Sequence, residues 1–165
     1  MNTPLRLNLG CGSVILSGFV NVDAHAACDL KDDIRTLEHI QTGSVDEIMA
    51  DHCLEHIGQR EVRGTLQAWC RVLKPGGLLT IGVPDIYGMA SALLASCKRD
   101  DHRIDYRIRC IYGNQSGPGE FHQSGFTADI LRTRLREVGL IDIHVELCES
   151  HGTPSLIATA SKRVK

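Results

Sequence analysis

The chain has no apolar run long enough to cross a bilayer: uninterrupted stretches such as Leu78-Leu79 fall far short of the ~18 residues a span needs. The N-terminus lacks the apolar core of a signal peptide. A membrane-spanning protein is therefore not expected. Neither charge is in large excess, with a net of −2, so no basic face argues for nucleic acid binding by phosphate neutralisation. The seven cysteines, at 11, 28, 53, 70, 97, 110 and 148, include no Cys-x-x-Cys pair. An odd number without that spacing suggests neither a disulfide framework nor a zinc knuckle, and points to a reduced, cytoplasmic protein. A length of 165 residues suits a single domain, 1–165, with a substantial core.

What the chain does have is concentrated in residues 5–23. Leu5-Arg6-Leu7-Asn8-Leu9 is a short apolar-rich run ending in Gly10-Cys11-Gly12, and a second short run, Val20-Asn21-Val22, ends in Asp23. Neighbouring parallel strands deliver groups to a nucleoside cofactor in this way. The glycines admit a ligand close to the backbone, and a carboxylate ending the next strand can accept from both ribose hydroxyls. A nicotinamide dinucleotide fits worse. The third small residue of Gly-x-Gly-x-x-Gly/Ala is replaced by Ile15, and no Lys or Arg lies between Gly12 and Asp23 to meet a pyrophosphate.

Leu-Asn-Leu-Gly-Cys-Gly resembles the first motif of class I S-adenosylmethionine (SAM)-dependent methyltransferases. Gly18-Phe19-Val20-Asn21-Val22-Asp23 resembles the second strand of a compact, methyltransferase type 11-like subgroup. The resemblance implies SAM as cofactor, with Asn8, Gly10, Cys11 and Gly12 among the residues that bind it, Gly10 and Gly12 admitting the methionine moiety, and Asp23 on the ribose. In the family an acid and an apolar residue ending the third strand hold the adenine, which Asp33 and Ile34 match. Asp32 is the competing register, and both acids could instead cap a short helix over 35–41. The connections 11–18 and 24–31 are too short for ordinary crossover helices, so two helices of the usual fold are expected to be reduced to loops.

Ser44–Asp51 reads as the fourth strand. The following Asp51-His52-Cys53-Leu54-Glu55-His56 resembles the family's segment beside the methyl-transfer point, which implicates Asp51 and His52 in cofactor binding. His52 and His56 are spaced to share a helix face and chelate a metal, but no third or fourth ligand falls at a recognisable spacing, and no metal is expected. His56 reads as a structural residue. Arg60–Leu73 repeats apolar residues at helical spacing, and Lys74-Pro75-Gly76-Gly77 stops that helix before a buried strand, 78–84. Leu-Lys-Pro-Gly-Gly is again typical of this family. Asp85 can cap the next helix, and the charged stretch 98–112 reads as a solvated helix.

Tyr112–Thr127 carries Gly, Pro, aromatics and His122, the content of a loop held over a site by a rigid scaffold. It resembles the subgroup's Tyr-Gly-x-Gln and Phe-His-x-Ser-Gly-Phe-Thr signature. His122 can accept a proton near neutral pH from a hydroxyl or amine undergoing methylation, with Glu120 orienting it or replacing it. It can equally donate to a backbone carbonyl and pin the loop. Thr127 caps a helix over 128–138, and 141–147 with 155–160 forms a closing hairpin.

The expected architecture is α/β and Rossmann-like, a mostly parallel sheet of about seven strands with an antiparallel C-terminal hairpin. The expected function is SAM-dependent methylation of a small molecule, a sugar being the first candidate from the resemblance. A second subunit, as in a homodimer, could complete so open a site. The alternative is an inactive methyltransferase-fold binding or scaffolding partner, suggested by the trimmed crossovers, by Asn8 where the family often carries an acid, and by the lack of an N-terminal substrate-capping segment.

Overall fold

The computed structural model describes residues 3–98, 102–117 and 119–164. Its sheet runs β2-β1-β3-β4-β6-β5, from β1 (Arg6–Leu9), β2 (Val20–Val22), β3 (Val45–Asp51), β4 (Leu73–Pro84), β5 (Leu140–Ser150) and β6 (Thr153–Lys162). β1 to β4 are parallel, whereas β6 runs antiparallel to both β4 and β5, the expected closing hairpin. The carboxyl ends of β1, β2, β3 and β4 therefore open along one edge, where open α/β sheets bind their ligands.

α1 (Val62–Val72) forms because Val62, Thr65, Leu66, Trp69 and Val72 recur at three- and four-residue intervals, and all five are buried. Lys74-Pro75-Gly76-Gly77 then interrupts pairing. Register passes from Val45↔Leu73 to Glu47↔Leu78 across that stretch, and Gly76 adopts φ 78, the left-handed region that glycine enters without cost. α2 (Ile86–Lys98) is capped by Asp85, whose carboxylate accepts from the N–H groups of Tyr87 at 3.2 Å and Gly88 at 3.0 Å. α4 (Ala128–Glu137) starts at Thr127, which accepts from Ile130 N. Within 98–112 the helix α3 covers Ile104–Tyr112; positions 99–101 lie outside the described residues, as do Pro118 and Lys165.

Two expectations are corrected. Among the described residues the sheet has six strands, not about seven, because the region expected to hold the third makes only one bridge, Leu30 to Val22. The cause is local. Asp32 is buried, and its carboxylate accepts from Asp33 N at 2.8 Å and His39 N at 3.2 Å, which bends the chain out of an extended path. Nor do residues 35–41 form a helix. Their turns are clamped by Arg71, whose guanidinium donates to the carbonyls of Thr36, Leu37 and Ile40 and to Thr42 Oγ1 at 2.8–3.1 Å.

The reduced crossovers are as expected, and a buried polar network stands in for the missing helices. Asn8 donates to Val14 O at 2.8 Å and to Asn21 Oδ1 at 2.9 Å; Asn21 also accepts from Leu16 N and donates to Asp29 Oδ2 at 2.7 Å. Buried amides hold a loop in one arrangement only when their bonds are filled, as these are.

Candidate active site

At the end of β1 the chain turns through Gly10, φ 62, and Gly12, φ 50. The two glycines differ. A β-carbon on Gly10 would overlap that of Cys53, whereas one on Gly12 would meet nothing within 4 Å. Gly10 thus lets β1 close against the segment after β3, and Gly12 leaves a space beside the backbone that a ligand can enter. Cys11 between them is buried, and burial pushes its thiol pKa up.

Asp23 lies directly across from Gly12, accepting its N–H at 3.0 Å on Oδ2, while Oδ1 accepts from His25 N at 2.7 Å and Ala26 N at 2.8 Å. Burial works to raise its pKa, but these three backbone donors outweigh it and hold the carboxyl below its usual value. A carboxylate offers about four lone-pair directions. With three filled, one direction is left for a ligand.

Asp33 faces outward, bound by Arg35 in a fork of 2.6–3.0 Å that lowers its pKa. Ile34 is brought to the Gly10 turn, its Cδ1 being 3.7 Å from the position of a Gly10 β-carbon, and its carbonyl accepts from Trp69 Nε1 at 2.7 Å. Of the residues expected along the cofactor, Asn8 lies deepest: it is buried beneath the glycine loop with its amide committed to Val14 and Asn21.

At the end of β3, His52 adopts φ 49, uncommon for a residue with a side chain. Its N–H is held by Gly82 O at 2.9 Å, and Nδ1 lies 3.2 Å from Glu55 Oε1. Burial opposes its protonation, yet Glu55 and then Asp51 prevail and raise its pKa. His52 Nε2 is buried without a hydrogen-bond partner. The ring of His151 packs edge-on against it, centroids 4.6 Å apart, and His151 Nε2 lies 3.6 Å from Asp51 Oδ2.

His122 joins this group because its loop is stitched to the 3-10 turn Leu54–His56. The N–H groups of Gln123 and Ser124 donate to Glu55 O at 2.8 and 3.0 Å, and Gln123 Nε2 donates to His56 O at 3.0 Å. His122 Nδ1 donates to Ile111 O at 3.2 Å, and burial lowers its pKa. The expected pairing with Glu120 is corrected. Glu120 is exposed and its backbone bonds close its own loop, to Gln115 and Gly117; the carboxylate beside His122 is Glu55. His52, His122, His151, Arg109, Tyr106 and Asn114 are among the residues lining a cavity of about 270 Å³ at this edge of the sheet.

The parallel strands β1 to β4 with the antiparallel closing hairpin make the Rossmann-like fold seen in solved SAM-dependent methyltransferases. Residues 18–81 match a family described as a methyltransferase domain. No curated protein matches the sequence. Among solved structures it resembles a SAM-dependent methyltransferase of Methanosarcina mazei, 17% identical with TM-score 0.68 over 100% of this chain and 95% of that one. A SAM-dependent methyltransferase of Archaeoglobus fulgidus is 16% identical, TM-score 0.66, over 98% and 87%. The 1,6-didemethyltoxoflavin-N1-methyltransferase of Burkholderia thailandensis, solved with its substrate and S-adenosylhomocysteine, is 15% identical, TM-score 0.66, over 97% and 72%. Among the described residues no helix is long and apolar enough to cross a membrane.

Sequence reasoning missed Glu55 as a site residue, although it stands in the quoted Leu-Glu-His segment. Its signal was weak, since a lone acid beside a histidine is ordinary surface chemistry. Asn21 and Asp29 were missed as the scaffold of the shortened crossovers.

Proposed function

We propose that the chain transfers the methyl group of SAM to a hydroxyl or amine of a small polar molecule held in the His-lined cavity. The observation that carries this is the unpartnered, buried Nε2 of His52, on a ring whose other nitrogen faces the Glu55 carboxylate. A carboxylate at Nδ1 fixes the tautomer in which Nε2 carries the lone pair, the arrangement that suits an imidazole to accept a proton. When bound, SAM supplies an already activated methyl group, so placement and removal of one proton are what the protein must add.

In this reading Gly12 admits the methionine moiety, Asp23 takes one ribose hydroxyl, and Ile34 packs against the adenine with Asp33 at its rim. Asn8 and Cys11 support the loop from below, and Asp51 steers His151. His122 faces the same cavity and is the second candidate for proton acceptance. Arg109, Asn114 and Tyr106 offer donors to a polyhydroxylated acceptor, which makes a sugar the first class to test. Calorimetric titration with SAM and S-adenosylhomocysteine, with Asp23→Ala as control, tests the cradle. Binding that the substitution abolishes is expected, and no binding by folded wild-type protein refutes an autonomous enzyme. His52→Gln should then remove turnover while leaving cofactor affinity intact.

A further inference from the structure

Glu55 is a buried carboxylate at the wall of the site. Its side chain is 2% exposed; Oε1 faces the His52 ring nitrogen at 3.2 Å, and Oε2 is buried with no hydrogen-bond partner. A buried carboxylate in that condition carries a large desolvation cost unless a cation meets it. Around it stand His56 and His122. One ring nitrogen of each and a Glu55 oxygen all lie within 4.8 Å of one another.

The two imidazoles are prepared in the same way. His56 Nδ1 donates to Phe121 O at 3.1 Å and His122 Nδ1 donates to Ile111 O at 3.2 Å. A backbone carbonyl at one nitrogen fixes the tautomer and leaves Nε2 as the lone-pair donor, the outer-shell pattern usual for metal-ligating histidine. The rings are close, centroids 5.0 Å apart and inclined at 67°. The His52 ring beside Oε1 supplies the further contact that ligating carboxylates commonly have, and Oε2 is left for an ion.

We infer that Glu55, His56 and His122 form a binding site for a single divalent transition ion of the zinc type. Two imidazoles and a carboxylate suit zinc, with the fourth position open, and that set differs from the all-oxygen sites of magnesium or calcium. Bonds of ~2.0–2.2 Å place ligand atoms roughly 3.3 Å apart in a tetrahedral site, inside the 4.8 Å within which these three atoms lie. Rotatable side-chain bonds in all three residues allow the final adjustment, and the Phe121 and Ile111 carbonyls keep Nδ1 of each ring as the donor. His122 also lines the acceptor cavity, so the ion would lie at its wall. There His122 serves as a ligand and His52 keeps the free Nε2. The site stands independently of the proposed methyl transfer, because ion affinity is read without cofactor or acceptor.

The test uses the full chain after dialysis against a chelator, titrated with zinc chloride in a calorimeter and with cobalt(II) followed by visible absorption. One equivalent is expected, with cobalt bands of a four- or five-coordinate nitrogen and oxygen site and no thiolate-to-cobalt charge transfer. His56→Ala and His122→Ala should each weaken zinc by more than the roughly 10–100-fold typical of outer-shell losses. Glu55→Gln, isosteric and neutral, should weaken it similarly while circular dichroism and thermal melting show a folded chain. Absence of a one-equivalent site in folded wild type overturns the inference. So does zinc affinity unchanged in both histidine variants, or a thiolate charge-transfer band pointing to Cys53 nearby.

Discussion

Alanine at Gly12 and alanine at Gly10 should damage the protein in different ways, although the two positions are two residues apart and both left-handed. Each substitution forces an L-residue into that region at about 1 kcal/mol. For Gly12 little else is lost on folding, since its β-carbon would meet nothing within 4 Å. In a chain of 165 residues that cost lowers Tm by roughly 2–4 °C. The new methyl group, however, occupies the space assigned to the cofactor. Overpacking of about 1–3 kcal/mol there corresponds to roughly 5–150-fold weaker binding of S-adenosylhomocysteine. Gly10→Ala instead collides with the Cys53 β-carbon. The same overpacking now falls on folding, about 2–4 kcal/mol in total, or roughly 4–16 °C in Tm. Because the obstacle is a β-carbon, Cys53→Ala should not relieve Gly10→Ala, whereas Cys53→Gly should, with a coupling of about 1–3 kcal/mol in a double-mutant cycle. Calorimetry and thermal melts on the variants decide. Wild-type affinity in Gly12→Ala would refute the cradle, and equal rescue by Cys53→Ala and Cys53→Gly would refute the packing account.

Asp23 should make the protein more sensitive to acid. Its native pKa is lowered, so its stabilisation is complete above the unfolded value of ~3.9 and is lost as pH falls through the native one; the stability gap between wild type and Asp23→Asn, measured by urea titration, should close over that acid range. Arg71→Lys should cost about 2 kcal/mol, because a single ammonium cannot reproduce the planar fork that meets four acceptors across residues 36–42; a Tm within a degree of wild type would count against the clamp. Under native conditions an aromatic disulfide reagent should label exposed Cys97 and Cys148 promptly. Cys11 and Cys53, buried and with burial pushing both thiols up, should react only on unfolding.

The parts of the fold that sequence made legible are those where a local rule and the tertiary packing agree. Trp69 and its neighbours repeat on one face of α1 and are buried there, Pro75 and Gly76 stop that helix, and Thr127 caps α4 through its own hydroxyl. The third strand shows the opposite case. Asp32 and Asp33 fit an acid at a strand end, but a carboxylate that bonds the next N–H bends the chain just as readily. Only the distant contacts of Arg71 and Trp69 with residues 34–42 decide between the two. Those contacts are side chain to backbone across some thirty residues, and no period in the sequence encodes them.

The cofactor and acceptor sides of the site differ in legibility for a related reason. Gly10, Gly12 and Asp23 lie within one strand-loop-strand unit, so their spacing along the chain fixes their spacing in space. The acceptor side is assembled from segments far apart in sequence, with Glu55 and His122 meeting only because the N–H groups of Gln123 and Ser124 bond the Glu55 carbonyl. The charge of Glu55 in turn could not be valued from sequence, since an acid costs little at a surface and a great deal when buried with few partners. It follows that the backbone bonds of 123–124 act on chemistry and on architecture at once. Shortening that loop by one residue would separate His122 from Glu55 while leaving His52 against it. Such a variant should lose the proposed zinc site, keep the affinity for S-adenosylhomocysteine proposed for Gly12 and Asp23, and retain His52 as the proposed proton acceptor.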